Sequence, residues 1–138
     1  PGTTLNLNDN YFQYVGNTPP LGPIQPNIKQ LGTDAVDLGW TTATDLDGNV
    51  YVGGMTSGSL QGTNTGSYDA WIAKYDNNGK ELWHKQFGTS NYDAIFGIDT
   101  DKFGNVYLEG STEGDLFAPR KTETNDFWVA KLDSNGNQ

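Results

Sequence analysis

The sequence contains no cysteine, a single histidine and no long apolar run. Without cysteine, the chain has no disulfide, no thiol nucleophile and no cysteine ligand for a metal. His84 alone cannot supply the group of imidazoles that holds a catalytic zinc. The sequence also has no Gly-x-x-x-x-Gly-Lys-Ser/Thr phosphate loop and no Gly-x-Ser-x-Gly turn. Because these motifs are missing, we do not expect catalytic residues. No apolar stretch approaches the roughly 20 residues that cross a bilayer, so we do not expect a membrane span either.

Basic side chains are scarce as well. The sequence has 8 Lys+Arg against 17 Asp+Glu, which gives a formal net charge of −9. Because phosphate binding needs a basic face, we do not expect nucleic acid as a partner. The acidity serves solubility, or it accompanies calcium-dependent behaviour outside the cell. The absence of cysteine is compatible with export.

The first 27 residues differ from the rest of the chain. They hold five of the 6 prolines, and their apolar residues alternate with polar ones at Leu5, Leu7, Tyr11 and Val15. This period of two is typical of a strand with one apolar edge. The Pro-Pro and Gly-Pro steps that follow favour an extended chain. Residues 1–27 are therefore either an extended arm, whose strand pairs with an open sheet edge of this chain or a neighbour, or a terminus without fixed structure.

One stretch dominates the remaining sequence because it occurs twice. Residues 48–54 are Gly-Asn-Val-Tyr-Val-Gly-Gly, and residues 104–110 are Gly-Asn-Val-Tyr-Leu-Glu-Gly. The flanks recur too, since Lys-Gln-Leu-Gly-Thr at 29–33 returns as Lys-Gln-Phe-Gly-Thr at 85–89. A fixed period with shared turn residues is the signature of a repeat architecture.

Each repeat is predicted to contain four short strands, which is the pattern of a propeller blade. The abundance of Gly, Asn, Asp and Thr suits short strands joined by tight turns. The predicted repeats are residues 28–83, with strands at 28–31, 39–44, 49–55 and 70–75, and residues 84–138, with strands at 82–87, 96–100, 105–111 and 127–132. The predicted fold class is all-β: two four-stranded antiparallel propeller-type blades preceded by an extended N-terminal arm.

The tryptophans give a prediction of the core. Trp71 and Trp128 recur in register between apolar neighbours, so we expect them to be buried between blades. Trp40 aligns with Phe96, and this pair is predicted to be core as well. His84 is expected on an outward strand face.

The repeated motifs resemble the bacterial seven-bladed β-propeller repeat family, abbreviated SBBP. The motifs are Gly-Thr followed by Asp, then Asp-x-x-Gly-Asn-Val-Tyr, Gly-x-Thr and Asp-x-Trp-x-Ala-Lys-x-Asp, each present twice within residues 28–138. The resemblance implies a large exported or surface protein of bacteria, and it carries no shared catalytic residues. A closed propeller has about 4 to 8 blades, whereas two repeats are present here. Either the chain is a piece of a longer one, or several chains close a ring, or two blades stack in another way.

Oxygen-bearing side chains alternate in the turn of each repeat, as they do in calcium loops with oxygen ligands. The second repeat has Phe103 in place of Asp47, so the full set occurs once. These residues are either turn caps or a calcium site, and calcium is the only cofactor that the sequence suggests. The candidate ligands are Asp45, Asp47, Asn49, Asp99 and Asp101.

Two tyrosines at loop ends, Tyr68 and Tyr92, are candidates for stacking on sugar rings. Acids two residues apart on one strand face the same way, so a glycosidase pair of carboxylates has a suitable spacing. The sequence marks no pocket for such a pair.

We interpret the chain as a non-enzymatic extracellular structural or assembly module of a bacterial surface protein or filament. We expect it to self-associate as a homo-oligomer or filament, with the N-terminal arm paired with a sheet edge of a neighbouring subunit. The alternative is a glycan- or protein-binding propeller module within a larger exported protein. The expected location is extracellular or at the cell surface.

Overall fold

The computed structural model, which describes residues 29–60, 62–121 and 123–138, consists of strands, turns and loops. The all-β prediction is therefore confirmed. Within these ranges, no helix has the length and apolar character to traverse a bilayer. The predicted arm strand, with Leu5, Leu7, Tyr11 and Val15, lies outside the described residues.

Seven strands form two antiparallel sheets. Neighbouring strands follow the order of the chain, so every pairing is a simple up-and-down connection. The first sheet contains β1 (Asp37–Thr44), β2 (Val50–Thr56), β3 (Asp69–Tyr75) and β4 (Glu81–Phe87), and the second contains β5 (Asp93–Thr100), β6 (Val106–Thr112) and β7 (Asp126–Leu132).

One predicted strand is missing from the described sheets, and another lies in a different sheet from the one predicted. Residues 29–31, the described part of the predicted first strand, are not in a sheet. The strand predicted at 82–87 was assigned to the second repeat, but it is β4 and pairs with β3, with Gln86 opposite Trp71. The short turn from Asp76 to Lys80 returns the chain directly alongside β3, which explains this pairing. The second sheet therefore has three described strands instead of four.

Aspartates fix the start of β1, β3 and β5. Asp37, Asp69 and Asp93 each open a strand, and a threonine four residues earlier donates its hydroxyl to the carboxylate. The Oγ1–carboxylate distances are 2.9, 2.8 and 2.8 Å. Burial opposes ionisation of Asp37, but hydrogen bonds from Thr56 and Thr33 outweigh it and lower the pKa. Each carboxylate thus fastens the loop that leads into its strand.

The two sheets pack face to face. We call the face that carries Tyr51 or Tyr107 the tyrosine face, and the opposite face, with Trp71 or Trp128, the tryptophan face. The tyrosine face of the first sheet packs on the tryptophan face of the second. This interface is the main core, and its buried residues are Tyr51, Ala70, Ile72, Ile95, Val106, Leu108, Trp128 and Leu132.

The core predictions were half right. Trp71 and Trp128 are 6% and 7% exposed, as expected. Trp40 and Phe96, however, are 42% and 46% exposed, so their assignment to the core was wrong. Their rings stack at 5.1 Å with an interplanar angle of 13°. Because β1 and β5 are edge strands of their sheets, each ring covers only one side of the other.

We expect Gly110→Ala to destabilise the fold by about 3 kcal/mol, because an added methyl would overlap the Ala94 carbonyl oxygen and the Trp128 ring. Ser111→Ala is the matched control on the neighbouring residue. The buried Ser111 hydroxyl has no hydrogen bond among the described residues, so its removal should cost little. Urea unfolding followed by tryptophan fluorescence measures both variants, and equal stabilities would contradict this account.

Candidate functional site

Four turns have the same aspartate-to-glycine construction. In each, an aspartate accepts backbone hydrogen bonds from the turn, and the residue three positions later is a glycine with φ between 79° and 83°. A positive φ favours glycine because other side chains meet the backbone there. The aspartate–glycine pairs are Asp45–Gly48, Asp76–Gly79, Asp101–Gly104 and Asp133–Gly136.

In Asp45, both carboxylate oxygens accept hydrogen bonds. Oδ1 accepts the backbone N–H groups of Asp47 at 3.1 Å and Asn49 at 2.9 Å. Oδ2 accepts the Asn49 side-chain amide at 2.8 Å and the Tyr51 hydroxyl at 3.0 Å, and Lys74 Nζ lies 3.5 Å away. Burial opposes ionisation, but these hydrogen bonds and the lysine outweigh it and lower the pKa of Asp45.

Asp101 repeats the arrangement in the second sheet, with Asn105 and Tyr107 as side-chain donors at 2.7 and 3.1 Å. The hydrogen bond from the Asn105 side-chain amide has the largest effect on the pKa of Asp101. Together with backbone N–H groups and the Tyr107 hydroxyl, it lowers the pKa to about 2. The acid therefore remains a carboxylate over most of the accessible pH range.

The geometry of the candidate calcium ligands agrees with turn capping. Asp45 and Asp101 already accept hydrogen bonds on both oxygens, and Asp99 Oδ1 accepts the N–H of Thr100 at 2.8 Å. In the part of the chain that the structure describes, no three His, Asp or Glu side chains are placed to hold a metal ion. Calcium binding by Asp45, Asp47, Asn49, Asp99 and Asp101 stays a prediction.

The structure brings the two candidate glycan-binding tyrosines together. Tyr68 and Tyr92 form an isolated parallel bridge, and the N–H of Asp93 donates to the Tyr68 carbonyl at 2.9 Å. Their ring centroids are 5.8 Å apart with an angle of 59°. Burial, followed by the charge of Glu113, raises the pKa of the Tyr92 hydroxyl. The pair lies where the loops enter β3 and β5, and glycan binding there stays a prediction.

Sequence reasoning missed two fully buried carboxylates, Asp69 and Asp93. Asp69 accepts Thr65 N–H at 3.0 Å and Gln86 Nε2 at 3.1 Å. Both acids come within 3.0 Å of the point that a Cβ at Gly88 would occupy. The Thr-x-x-x-Asp spacing in the sequence was a signal that could have located them. Their hydrogen bonds give them a role in fastening loops.

Two sheet faces are left open at the ends of the described structure. The tryptophan face of the first sheet borders an open groove of about 580 Å³, whose lining includes Lys29, Leu31, Leu60 and Trp71. On the tyrosine face of the second sheet, Phe127 is 75% exposed. These two faces lie on opposite sides of the two packed sheets, and each carries apolar side chains beside charged ones.

The outer edges of β3 and β7 differ in the described structure. In the first sheet, β4 pairs with the outer edge of β3. In the second sheet, no described strand pairs with the corresponding edge of β7.

His84, on β4, is about one-third exposed and lies 2.7 Å from Glu81 Oε1.

A family model for the beta-propeller repeat (SBBP) matches residues 82–118. This span contains nearly all of β4, then β5, β6 and the start of the following loop. The match confirms the family resemblance that the repeated motifs predicted. A comparison with curated proteins gave no match.

We expect Asp45→Ala to destabilise the protein by about 2 kcal/mol, because it leaves several turn donors without a charged acceptor. Asp47→Ala is the matched control, since it removes the same charge from an exposed side chain in the same turn. Denaturant unfolding in the presence of a calcium chelator separates the turn effect from any effect of metal. An equal decrease in the free energy of unfolding for the two variants would argue against turn capping.

The pH dependence of stability follows from Asp101. Its pKa of about 2 in the folded protein is below the unfolded value of roughly 3.9. Its stabilisation is therefore present above about pH 4 and is lost as the pH falls through 2. We expect the melting temperature to decrease over this range, and to decrease less steeply in Asp101→Asn. A similar slope in the wild type and in Asp101→Asn would contradict the assignment.

Proposed function

We propose that the chain is a non-enzymatic structural module that assembles with further copies of itself through the open edge of β7 and the two uncovered sheet faces. The open edge is the observation that carries the proposal. β3 exchanges hydrogen bonds with strands on both sides, whereas β7, its counterpart in the repeat, pairs only with β6 among the described strands. Free N–H and C=O groups on such an edge accept an additional strand.

The exposed side chains next to this edge support the same function. Phe127 and Val129 are 75% and 68% exposed on β7, while their counterparts Ala70 and Ile72 on β3 are fully buried. Covering a Phe or Val side chain stabilises a complex by about 1.5 to 3 kcal/mol. An assembly that covers this face would therefore be stabilised both by backbone hydrogen bonds at the edge and by apolar burial on the face.

The segment that precedes β1 is the proposed donor of the added strand. It includes the arm 1–27, in which Leu5, Leu7, Tyr11 and Val15 form the predicted apolar edge. The prolines of this segment restrict its unbound conformations, which lowers the entropy lost when it pairs. The donor would reach an edge on a neighbouring subunit.

An extracellular or cell-surface location is part of this proposal. The chain has no cysteine and a net charge of −9, and its motifs resemble repeats that are typical of exported bacterial proteins. The resemblance carries no shared catalytic residues, which favours a structural role. The assembled form would be a homo-oligomer or a filament.

We expect the purified chain to have a mass well above 15.0 kDa in light scattering. A variant lacking residues 1–31 should be monomeric or precipitate, because it has no donor strand. Val129→Asp should weaken assembly by placing a charge on the exposed face of β7. Leu46→Asp is its control, because Leu46 is 82% exposed in the β1–β2 turn and not on a sheet face.

A wild-type monomer would contradict the assembly function. It would favour the alternative, a glycan- or protein-binding module, for which the adjacent rings of Tyr68 and Tyr92 are the supporting observation. The same measurement with a calcium chelator tests the predicted cofactor. Loss of the assembled mass on chelation would assign calcium a role in holding the copies together.

A further inference from the structure

We propose that residues 29–31 of one copy form the fourth strand of a neighbour's second sheet, paired with β7, so that the copies join head to tail. This inference rests on the assembly function above and names the surfaces that meet. It differs from the sequence expectation in placing the donor directly before β1 instead of within Leu5 to Val15.

The internal repeat identifies the donor. Residues 29–33 repeat residues 85–89, and 85–87 are the end of β4. Gly88 and Thr89 then lead to β5, where the Thr89 hydroxyl donates to Asp93 at 2.8 Å. Gly32 and Thr33 lead to β1 in the same way, with the Thr33 hydroxyl 2.9 Å from Asp37. Residues 29–31 therefore occupy the position before β1 that the end of β4 occupies before β5.

The position of Leu31 agrees with this equivalence. Its counterpart Phe87 packs on the tryptophan face of the second sheet, with ring centroids 5.9 Å apart from Trp128. Leu31 lines the groove on the tryptophan face of the first sheet, together with Trp71. Lys29 Nζ lies 4.4 Å from the Tyr75 ring on that face. The segment thus already lies against the first sheet as the end of a preceding sheet would, and a second copy would supply the other three strands.

Gln86 shows which bonds the donor would make. Its Oε1 accepts Leu60 N–H at 3.0 Å, and its Nε2 donates to the Gly58 carbonyl at 2.9 Å and to Asp69 at 3.1 Å. Gln30 is the counterpart of Gln86. Its partners in the neighbouring copy would be the equivalent groups, which are Leu116 N–H, the Gly114 carbonyl and the Asp126 carboxylate.

The pairing of β3 with β4 sets the register. Ile72, Trp71 and Ala70 lie opposite Lys85, Gln86 and Phe87. Transferred to the new pair, Val129 lies opposite Lys29, Trp128 opposite Gln30 and Phe127 opposite Leu31. Phe127 and Val129, both exposed in one copy, would then have a strand beside them.

The two uncovered faces have complementary volumes. In the internal interface, Gly53 lies close to Ile95 and Ile98. A Cβ added at Gly53 would be only 2.9 Å from Ile98 Cδ1. In the interface between copies, Glu109 takes the place of Gly53, and Gly39 and Thr42 take the places of the two isoleucines. The larger side chain on one face is matched by smaller residues on the other. A second copy of this chain therefore fits the uncovered face.

A lysine contact of the internal interface has its counterpart as well. Lys74 Nζ donates to the Ser134 carbonyl at 3.2 Å across the two sheets and lies 5.0 Å from the Tyr51 ring. Lys131 holds the same position over Tyr107, at 5.2 Å. The carbonyl equivalent to that of Ser134 belongs to Asn77, which borders the groove on the first sheet. Lys131 would donate to Asn77 of the next copy.

The donor and the acceptor edge cannot meet within one such pair of sheets. Residues 29–31 lie beyond the tryptophan face of the first sheet, whereas the second sheet packs on the opposite face. The contact joins two different surfaces, so it closes as a ring or continues as a filament. A ring of about 4 to 8 blades would contain about two to four copies.

Cysteine cross-linking of the full chain tests the register, because the native sequence has no competing cysteine. Lys29→Cys and Val129→Cys are prepared as separate proteins, reduced, mixed and oxidised. The pair should form a disulfide-linked dimer, since directly opposed residues have the Cα spacing of a disulfide. Lys29→Cys mixed with Glu109→Cys is the matched control, because Glu109 lies one strand further from the donor and beyond disulfide reach.

Gly32→Ala gives an independent test in the full chain. A Cβ at Gly32 is 3.4 Å from Asp37 within its own copy, so the fold should tolerate the change. At the equivalent Gly88, a Cβ would be 2.5 Å from Asp69 Oδ1, and the Asp69 counterpart at the new contact is Asp126 of the neighbour. We expect Gly32→Ala to weaken assembly by about tenfold or more, with an unchanged circular dichroism spectrum.

The outcomes separate this inference from the assembly function. Cross-linking with Val129→Cys but not with Glu109→Cys, together with weaker assembly of Gly32→Ala, supports the head-to-tail contact. An assembled wild type without either effect overturns it and leaves the proposed function in place. A monomeric wild type overturns both.

Discussion

Each sheet of this protein carries apolar side chains on both faces, and this constraint governs the rest of the structure. The tyrosine face of one sheet is covered by the tryptophan face of the next, as Ile72 and Trp128 show in the buried core. With two sheets in the described ranges, one face of each kind has no sheet packed on it there. The groove beside Trp71 and the exposed Phe127 are the two consequences. The proposed self-assembly would cover both of them.

Carboxylates hold the connections between strands. Turn aspartates such as Asp45 accept hydrogen bonds from the tight turns, and Asp37, Asp69 and Asp93 accept them from the loops that enter β1, β3 and β5. Such charge-assisted hydrogen bonds are stronger than neutral ones. A substantial share of the acidity of the chain is therefore built into its turns. The same residues that suggested calcium ligands have a structural use.

The fold was predictable from the sequence because turn residues and apolar alternation recur twice. Which sheet contains β4 was not, because sequence period does not specify which neighbour a strand joins; the short turn after Asp76 decides it. The exposure of Trp40 and Phe96 depends on β1 and β5 being edge strands, a tertiary property. Of the candidate sites, the sequence located the turn carboxylates and both tyrosines, but it could not show that Tyr68 and Tyr92 touch or that Asp69 is buried.

The close approach of Gly53 to Ile95 and Ile98 has a consequence for the order of the sheets. Glu109 occupies the same position in the second sheet. If a second sheet were followed by another second sheet, the Glu109 carboxylate would be set against two isoleucines and would lose its water without a partner. The two repeats are therefore not interchangeable. In the proposed assembly, this divergence at one position would favour alternation of first and second sheets.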